Sequence, residues 1–301
     1  MNVKEAELLI TGKISSIYEG SEAKKIASLA LEYITGCEWQ SLITGKNHLL
    51  DDSQMNLMNK VIERLSAHEP IQYIMNKAWF YGMELYVDKH VLIPRPETEE
   101  LVDWIVKDVK ASGLQVFEKK PGEADETTRL KILDVGTGSG CIALALKKSI
   151  PLAEVWGCDI SDSALNVARR NGSELDIRVD FQSVDYLNPA QQKHLPSVDI
   201  LVSNPPYVPE KDKESMQPNV LQYEPHTALF VDDNDPLVFY RALLAYCVHR
   251  LHPGGRLYME IHEDLGNEVA TLFSENHYSV TVRKDMQGKE RMVKVERMQG
   301  S

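Results

Sequence analysis

The amino-acid sequence predicts an α/β protein, in which a doubly wound, mostly parallel, seven-stranded sheet follows a small all-helical N-terminal domain. Three observations predict this class. Beyond residue 130, short apolar segments alternate with segments of helical periodicity, as in parallel sheets covered by helices. Before residue 78, apolar residues recur mainly at helical spacing. A glycine-rich turn follows the first of the apolar segments, at the place where open α/β sheets bind ligands.

Composition describes a globular protein with no sign of export. Of the 301 residues, 43% are hydrophobic and 26% are charged, which suits one large or two ordinary domains. The N-terminus lacks the basic flank and apolar core of a signal peptide, and no run approaches the roughly 20 apolar residues of a membrane span. We therefore expect a cytoplasmic protein without membrane contact, acting as a monomer.

Three features of the composition argue against disulfide-rich, metal-binding and nucleic-acid-binding proteins: the cysteines, the histidines and the net charge. The cysteines are scattered without a CxxC pair, which disfavours a disulfide framework and a thiolate zinc site. The nine histidines show no ligand spacing such as HExxH, so no metal is predicted. The net charge of −12 repels a phosphate backbone and disfavours direct binding of nucleic acid. The four cysteines are Cys37, Cys141, Cys158 and Cys247.

Three regions follow one another along the chain. Residues 1–77 are predicted to form the helical domain, residues 78–94 a linking β-hairpin, and residues 95–301 the sheet domain. The hairpin is predicted from the aromatic and β-branched residues of WFYGMELYVDKHVLI, with its turn at Asp88-Lys89. Apolar residues of the helical domain recur at helical spacing in two sets, Ile26, Leu29, Ala30, Tyr33 and Ile34, and Leu57, Met58, Val61, Ile62 and Leu65.

A helix is predicted to begin in the sequence PRPETEELV. Glu97, Glu99 and Glu100 crowd its first turn, where the helix dipole favours negative charge. The polar sequence EKKPGEADETTR at 118–129 is predicted to be a loose surface loop. The buried stripe of the helix is expected at Leu101, Ile105 and Val109.

The rest of the sheet domain is predicted to alternate strands with helices. The strands are LKILDV, AEVWGCD, IRVDFQSVD, VDILVS, GGRLYMEI, YSVTVRK and RMVKVER. Helices are expected at about 140–149, 163–171, 236–251 and 266–276. The last two strands follow each other directly, so we expect an antiparallel strand at the edge of the sheet.

The sequence DVGTGSG, residues 134–140, lies where the first strand turns into its helix. Glycine permits a positive φ and a close approach of the backbone to a ligand. Gly136, Gly138 and Gly140 form GxGxG, and Cys141 takes the sixth position, so the dinucleotide fingerprint GxGxxG fails. No lysine stands in the P-loop position. An acid followed by GxGxG resembles instead the pattern of S-adenosylmethionine (SAM) methyltransferases, whose cationic cofactor suits Asp134 better than a pyrophosphate does.

Two further strand ends carry residues that suit SAM. Asp159 ends the second strand, where a carboxylate can accept the ribose hydroxyls. Asp185 and Tyr186 follow the third strand, and the tyrosine offers an aromatic face to adenine. A single strand-end Asp is more typical of a helix cap or a turn. Their common order along one sheet edge favours a SAM site.

The sequence SNPPY, residues 203–207, ends the fourth strand. Its simplest interpretation is a strand terminator, because proline removes a ladder hydrogen bond and asparagine favours turns. Beside a SAM site, the same residues suit methyl transfer to a planar amide or aromatic amine, whose nitrogen lone pair is delocalised. The Asn204 side-chain oxygen and the Pro205 carbonyl can accept the two N–H hydrogens, while Pro206 stiffens the turn and Tyr207 stacks on the plane.

Several segments in order resemble the HemK/PrmC family of release-factor glutamine N5-methyltransferases: VLIPRPETEELV, ILDVGTGSGCIALAL, NPPYV, YEPHTALF and a final Gly288-x-x-Arg291. The resemblance covers about residues 70 to 296, and a helical N-terminal domain joined by a hairpin is also the layout of that family. It implies a Rossmann-like, SAM-dependent protein methyltransferase. Its substrate would be the glutamine of the GGQ tripeptide in class 1 peptide chain release factors.

The resemblance also implies roles for individual residues. The catalytic residues would be Asn204, Pro205 and Tyr207, and the same residues with Pro206 would bind the substrate amide. The helical domain would recognise the substrate. The cofactor would be bound by Gly136, Thr137, Gly138, Ser139, Gly140, Asp159, Tyr186 and Asn204.

Two other functions fit parts of the sequence. A DNA adenine-N6 or RNA guanine-N2 methyltransferase would use the same NPPY residues on a flipped base. The sequence has no Lys/Arg-rich segment, and its sharpest basic cluster is Arg169-Arg170. A catalytically silent adaptor would bind the translation machinery through the helical domain, but it would need neither GxGxG nor NPPY. The sequence therefore favours the glutamine methyltransferase.

Overall fold

The structure, a computed structural model, describes residues 1–44, 49–112 and 129–298. The loop predicted at 118–129 lies outside the described residues, except for its last residue. The chain divides into two compact units, Met1–Lys77 with Met216–Glu224, and Ala78–Ser215 with Pro225–Ser301. Within the described residues, no helix combines the length and the apolar character that crossing a membrane requires.

The first unit consists of short helices around one apolar core. They are α1 Val3–Ile14, α2 Gly20–Thr35, α3 Trp39–Thr44, α4 Asp52–Ser66 and α5 Ile71–Met75, with α10 Pro218–Tyr223 from later in the chain. Asn2 caps α1 and Asp51 caps α4, each in a capping box that satisfies backbone N–H groups of the first turn. The Tyr223 hydroxyl donates to the Ala67 carbonyl (2.7 Å), which ties the later segment to this unit.

The second unit begins with a β-hairpin of β1 (Ala78–Phe80) and β2 (Met83–Leu85). Its turn is Tyr81-Gly82, so the turn predicted at Asp88-Lys89 is wrong. Tyr81 and Gly82 have φ values of 49° and 68°. Two consecutive residues with positive φ match the twist of the flanking strands, which is why such a pair closes a two-residue hairpin.

Seven strands form one mixed sheet, which confirms the predicted fold class. They are β3 Lys131–Val135, β4 Glu154–Asp159, β5 Asp180–Ser183, β6 Val198–Ser203, β9 Leu251–Glu260, β10 Tyr278–Lys284 and β11 Glu290–Arg297. Their spatial order is β10-β11-β9-β6-β3-β4-β5, with parallel pairing from β9 to β5. Side chains alternate between the faces, so Ile132 and Leu133 lie in different apolar cores.

Helices cover both faces of this sheet, as expected for a doubly wound fold. They are α6 Pro96–Ala111, α7 Cys141–Ser149, α8 Asp162–Glu174, α9 Pro189–Gln192, α11 Val238–Arg250 and α12 Gly266–Ser274. Apolar residues of α6, α7 and α8 belong to one core, and those of α11 and α12 belong to the other. The predicted bounds agree with the observed ones to within about one turn.

An antiparallel strand joins the edge of the parallel part of the sheet, as predicted, and one further strand pairs outside it. β11 pairs antiparallel with both β9 and β10, and β10 forms the edge. Met292, Val293 and Val295 of β11 are fully buried, whereas most side chains of β10 are exposed or half-buried. The more apolar strand therefore takes the position that is covered on both sides.

The segment after β6 contains short elements of its own. β7 (Val208–Pro209) pairs parallel with β8 (Phe230–Val231), and the Val208 N–H donates to the Leu229 carbonyl (2.9 Å). This pairing anchors the chain directly after NPPY. The two 3-10 turns of the segment are Glu210–Ser215 and His226–Ala228.

The hairpin turn makes a testable prediction at Gly82. A Cβ there meets no heavy atom within 4 Å, so Gly82→Ala probes the left-handed backbone alone. We expect Gly82→Ala to lower the free energy of unfolding by about 1 kcal/mol, and Gly82→Asn to cost less because asparagine tolerates positive φ. Urea unfolding followed by circular dichroism measures both. Equal losses in the two variants would contradict a left-handed residue at this turn.

Candidate active site

The carboxyl ends of β3, β4, β5 and β6 border one cleft. Its volume is about 890 Å³, counted together with its open mouth. In the sheet, β3 lies between β4 and β6, so the strand order continues in one direction from β3 to β5 and in the other direction from β6. The cleft lies at this topological switch point. Open α/β sheets bind ligands at this position, so the cleft is the candidate active site.

The glycine turn after β3 is held by the neighbouring strand. The N–H groups of Gly136 and Thr137 both donate to the Cys158 carbonyl (2.9 Å each). Gly136, Gly138 and Gly140 have φ values of 70°, 53° and 80°, which other residues rarely adopt. The positive φ values of the turn therefore explain why glycine occupies these three positions.

Thr137 and Ser139 belong to this turn and are held from inside, the first through its side chain and the second through its backbone. Both residues are buried, and the Thr137 hydroxyl donates to Asp134 Oδ2 (2.6 Å). Asn171 donates through Nδ2 to the Ser139 carbonyl (2.9 Å) and accepts the Tyr86 N–H at Oδ1 (2.7 Å). Sequence reasoning missed Asn171, whose one signal is a polar residue within the apolar repeat of a helix.

Asp134 is an acid buried beneath the turn, with 0% of its surface exposed. Its Oδ2 accepts hydrogen bonds from the Thr137 hydroxyl (2.6 Å) and the Ala143 N–H (3.2 Å), and its Oδ1 accepts none from the described residues. Burial raises the pKa of Asp134 to about 7 against these hydrogen bonds, and the nearby charge of Asp159 adds to the rise. When ionised, this carboxylate favours a cationic ligand at the turn.

Asp159 ends β4 at the border of the cleft. Its Oδ2 accepts the Gly138 N–H and its Oδ1 accepts the Ser161 N–H, each at 2.9 Å. Burial raises the pKa of Asp159, while backbone hydrogen bonds oppose the rise. A carboxylate offers about four acceptor positions, so Asp159 keeps capacity to accept from the hydroxyls of a ribose.

Apolar and aromatic side chains complete this side of the cleft. Tyr186 is buried and packs against Tyr246, with ring centroids 5.7 Å apart. Ile160 and Leu187 also line the cleft and are 64% and 42% exposed. Sequence reasoning missed both; their only signal is an apolar residue after the ends of β4 and β5. The exposed apolar surface suits the flat ring of a ligand.

The SNPPY segment leaves β6 next to the glycine turn. The Ser203 hydroxyl donates to the Val135 carbonyl (2.8 Å), which ties the end of β6 to the end of β3. A Cβ on Gly136 would lie 3.9 Å from the backbone carbonyl oxygen of Asn204. The Asn204 side chain donates through Nδ2 to the Thr98 hydroxyl (3.2 Å). The two motifs therefore lie side by side.

Tyr207 is half-buried among aromatic and charged neighbours. Its ring meets that of His262 edge-on with centroids 6.2 Å apart, and the Arg291 guanidinium carbon lies 5.9 Å from its centroid. Burial raises the pKa of Tyr207 to about 12, with the charge of Glu260 adding to the rise and that of Arg291 opposing it. The arginine of the Gly288-x-x-Arg291 pattern therefore packs on the NPPY tyrosine.

The three glutamates of PRPETEE, residues 94–100, hold neighbouring turns. Each accepts a hydrogen bond from a residue of a turn, which fixes the start of α6 beside the hairpin and beside the turn between β10 and β11. The donors are the Tyr81 N–H to Glu99 (2.9 Å), the Met286 N–H to Glu100 (3.1 Å) and the Gln287 side chain to Glu97 (2.8 Å).

Glu260 is a second buried acid near the cleft, which sequence reasoning missed. It is the last residue of β9 and is 1% exposed. Burial raises its pKa to about 7, while a hydrogen bond from Thr98 and the charge of Arg291 oppose the rise. Its one signal in the sequence is an acid that closes the apolar segment RLYME.

The structure brings together most of the predicted site residues, although their roles stay predictions. The predicted residues that line the cleft are Gly136, Gly138, Asp159, Tyr186, Asn204, Pro205 and Pro206. The predicted residues that are not among its lining are Thr137, Ser139, Gly140 and Tyr207, which lie in the two turns beside it. Over the described part of the chain, no group of three or more His, Cys, Asp or Glu side chains is arranged to hold a metal ion.

The burial of Asp134 makes a prediction about pH. Asp134→Asn keeps an acceptor for Thr137 and Ala143 but cannot ionise. The folded pKa of about 7 exceeds the ordinary value of 3.8, so the stability that the neutral carboxyl confers is present below about pH 4 and is lost as pH rises to about 7. We expect the melting temperature of Asp134→Asn, relative to wild type, to rise by several degrees between about pH 4.5 and 7.5.

Differential scanning calorimetry across this pH range measures the difference, with the exposed Asp180→Asn as the control. A difference between Asp134→Asn and wild type that stays level with pH would show that Asp134 is already ionised in the folded protein at low pH. A difference that appears equally in Asp180→Asn would remove burial as its cause.

Two protein-family models match this chain, one in the helical region and one in the sheet region. A family model described as the PrmC N-terminal domain matches residues 15–75, and one described as the methyltransferase small domain matches residues 115–223. Among solved structures, the hMettl16 catalytic domain in complex with an RNA hairpin superposes with a TM-score of 0.53 at 16% identity, covering 72% of this chain and 75% of that one. This likeness concerns the fold alone.

Relatives of higher similarity span nearly the whole sequence. A release factor glutamine methyltransferase of Flavobacterium psychrophilum is 38% identical over 297 residues, which cover 98% of this chain and 99% of the relative. One of Bacteroides thetaiotaomicron is 41% identical over 289 residues, which cover 96% and 98%. Since this identity extends through both the helical unit and the sheet, the chain belongs to the release factor glutamine methyltransferase family.

Proposed function

We propose that this protein transfers the methyl group of SAM to the side-chain amide nitrogen of the glutamine in the GGQ tripeptide of class 1 peptide chain release factors. The observation that carries the proposal is the proximity of two turns. A Cβ added to Gly136 would lie 3.9 Å from the Asn204 carbonyl oxygen, and both residues line one cleft. A cofactor on the glycine turn and an amide on the NPPY turn would meet there. The family supports glutamine as the acceptor, since the relatives are named for it.

The residues of the cleft suit SAM, which supplies an electrophilic methyl group on a sulfonium. Asp159 has lone pairs for the ribose hydroxyls, and Gly138, whose N–H already binds this carboxylate, would let the cofactor approach the backbone. Ile160 and Leu187 provide apolar surface for adenine, next to Tyr186. When Asp134 is ionised, its carboxylate, whose Oδ1 accepts no hydrogen bond from the described residues, adds negative charge under the turn, which favours a cationic cofactor.

The NPPY turn would overcome the weak nucleophilicity of an amide. Asn204 Oδ1 and the Pro205 carbonyl would accept the two N–H hydrogens, so that the nitrogen lone pair points at the methyl carbon. Pro206 restricts the backbone of this carbonyl, and Tyr207, held by Arg291, would cover the amide plane. No base is needed before transfer, because the proton can leave for solvent after the nitrogen has become cationic.

The proposed division of labour follows the chain. Residues 1–77 would recognise the release factor, residues 78–94 would link this region to the remainder, and residues 95–301 would bind SAM and catalyse transfer. The match of residues 15–75 to the PrmC N-terminal domain supports the first assignment. We further propose a cytoplasmic monomer that contacts no nucleic acid directly, in keeping with a net charge of −12.

The substrate is tested with a recombinant release factor and its GGQ-to-GGA variant. With isotopically labelled SAM, we expect the purified protein to label the first and not the second, because only the glutamine amide offers the nitrogen. Mass spectrometry of the tryptic peptide checks the position of the methyl group. Equal labelling of both factors, or labelling of naked DNA or RNA instead, would refute glutamine as the acceptor.

The role of Asn204 is tested by Asn204→Ala. We expect kcat to fall by about 100-fold or more, while SAM affinity changes little, because the aligned lone pair matters mainly in the transition state. Stopped-flow methylation and calorimetric titration with SAM measure the two quantities. The control is Asn166→Ala on the exposed surface of α8, which should keep both values. An equal loss of SAM affinity would show that Asn204 serves cofactor binding instead.

A further inference from the structure

The Asn204 side chain can present either edge of its amide to the cleft. Its oxygen accepts hydrogen bonds and its NH2 group donates them, and a half-turn about the last side-chain bond exchanges the two. The proposed clamp needs the oxygen toward the substrate, because a glutamine amide offers N–H donors. Some group outside the NPPY turn must therefore hold the NH2 group on the other side.

Thr98 provides the acceptor for that NH2 group. It lies in the first turn of α6, is 2% exposed, and its hydroxyl accepts from Asn204 Nδ2 at 3.2 Å. A hydroxyl also has one proton, which could instead be donated to the Asn204 oxygen and would then favour the opposite orientation. The destination of the Thr98 proton decides between the two orientations.

Glu260 would take that proton. Its carboxyl is buried at the end of β9, and a hydrogen bond from the Thr98 side chain opposes the rise of its pKa. An ionised carboxylate only accepts, so it takes the Thr98 proton and leaves a hydroxyl lone pair for the Asn204 NH2 group. The charge of one buried acid thereby sets the direction of both hydrogen bonds.

Protonation of Glu260 would reverse this arrangement. Burial raises the pKa of Glu260 to about 7, so the change falls near neutral pH. A neutral carboxyl can donate to Thr98, whose own proton then turns toward Asn204 and favours the amide oxygen on that side. The titratable and charged side chains that face Glu260 electrostatically are Arg95, Glu97, Cys141, Tyr207, Tyr240 and Arg291.

We propose that Thr98 and Glu260 are positioning residues, which together turn the Asn204 amide oxygen toward the substrate. Neither belongs to the described residues that line the cleft, so both act through Asn204. The inference rests on the proposed function and assigns a role at the same site to Thr98, the threonine of PRPETE.

Thr98→Val and Thr98→Ser form the matched pair that tests this role. Valine keeps the shape of the side chain without its hydroxyl, and serine keeps the hydroxyl. With the full-length chain and the release factor, we expect Thr98→Val to lower kcat by about 10- to 100-fold at nearly unchanged KM and SAM affinity. Thr98→Ser should retain most of the activity. An unchanged kcat in Thr98→Val, or an equal loss in Thr98→Ser, overturns the proposal.

Glu260→Gln tests the acid of the pair. Its amide oxygen still accepts from Thr98 but cannot ionise. We expect wild-type kcat at saturating SAM to fall as pH drops through about 7, and this fall to vanish in Glu260→Gln. Asp134 has a pKa in the same range, and saturation with SAM limits its influence, which acts through cofactor binding. A pH dependence that persists unchanged in Glu260→Gln overturns the role of Glu260.

The Asn204 side-chain amide reports its orientation without any turnover. In protein labelled with 15N-asparagine, its NH2 resonance is assigned by its loss in Asn204→Ala. We expect this resonance to shift and to lose protection from solvent exchange in Thr98→Val but not in Thr98→Ser. An unchanged resonance overturns the positioning role. Failure of the wild type to methylate the release factor would refute the proposed function, and the resonance would still decide whether Thr98 orients Asn204.

Discussion

Parallel pairing of β3 with β6 is the interaction on which the rest of the candidate site depends. The register sets Val135 opposite Ser203, and the Ser203 hydroxyl donates to the Val135 carbonyl across a separation of 68 positions. The residues that follow these two, Gly136 and Asn204, therefore leave the sheet next to each other. A cofactor turn and an amide clamp that lie far apart in the chain become one site through this single pairing.

Two buried acids set the second constraint. Burial raises the pKa of Asp134 and of Glu260 to about 7, and each keeps one oxygen without a partner among the described residues. Burying a carboxylate costs stability unless other groups compensate. Asp134 supports the glycine turn through Thr137, and Glu260 reaches Asn204 through Thr98. Burial of the two acids therefore lowers stability, but it orients polar groups before the substrate binds.

The places where sequence reasoning was right and wrong have a common cause. The alternation of short apolar segments with helical segments predicted the parallel sheet, because the burial of a strand shows in the apolar residues of that strand itself. The hairpin turn at Tyr81-Gly82 was missed although Gly82 is a turn signal, because the turn was placed at the polar pair Asp88-Lys89. The position of β11 between β9 and β10 was not predicted because it depends on how apolar both neighbouring strands are. A sequence pattern shows what a single strand or turn needs. The turn of the hairpin and the position of β11 were each a choice between alternatives that such a pattern allows.

The sequence by itself determined the chemistry of this protein: the residue types of DVGTGSG and NPPY, their order along the chain, and the resemblance to glutamine methyltransferases. Only the tertiary structure decided that Thr137 and Ser139 are buried beneath the turn and that Thr98 meets Asn204 across 106 positions. The physical reason is that a residue type limits which hydrogen bonds a side chain can form. Which partner it finds, and which way the proton points, depend on strands and helices that only folding brings together.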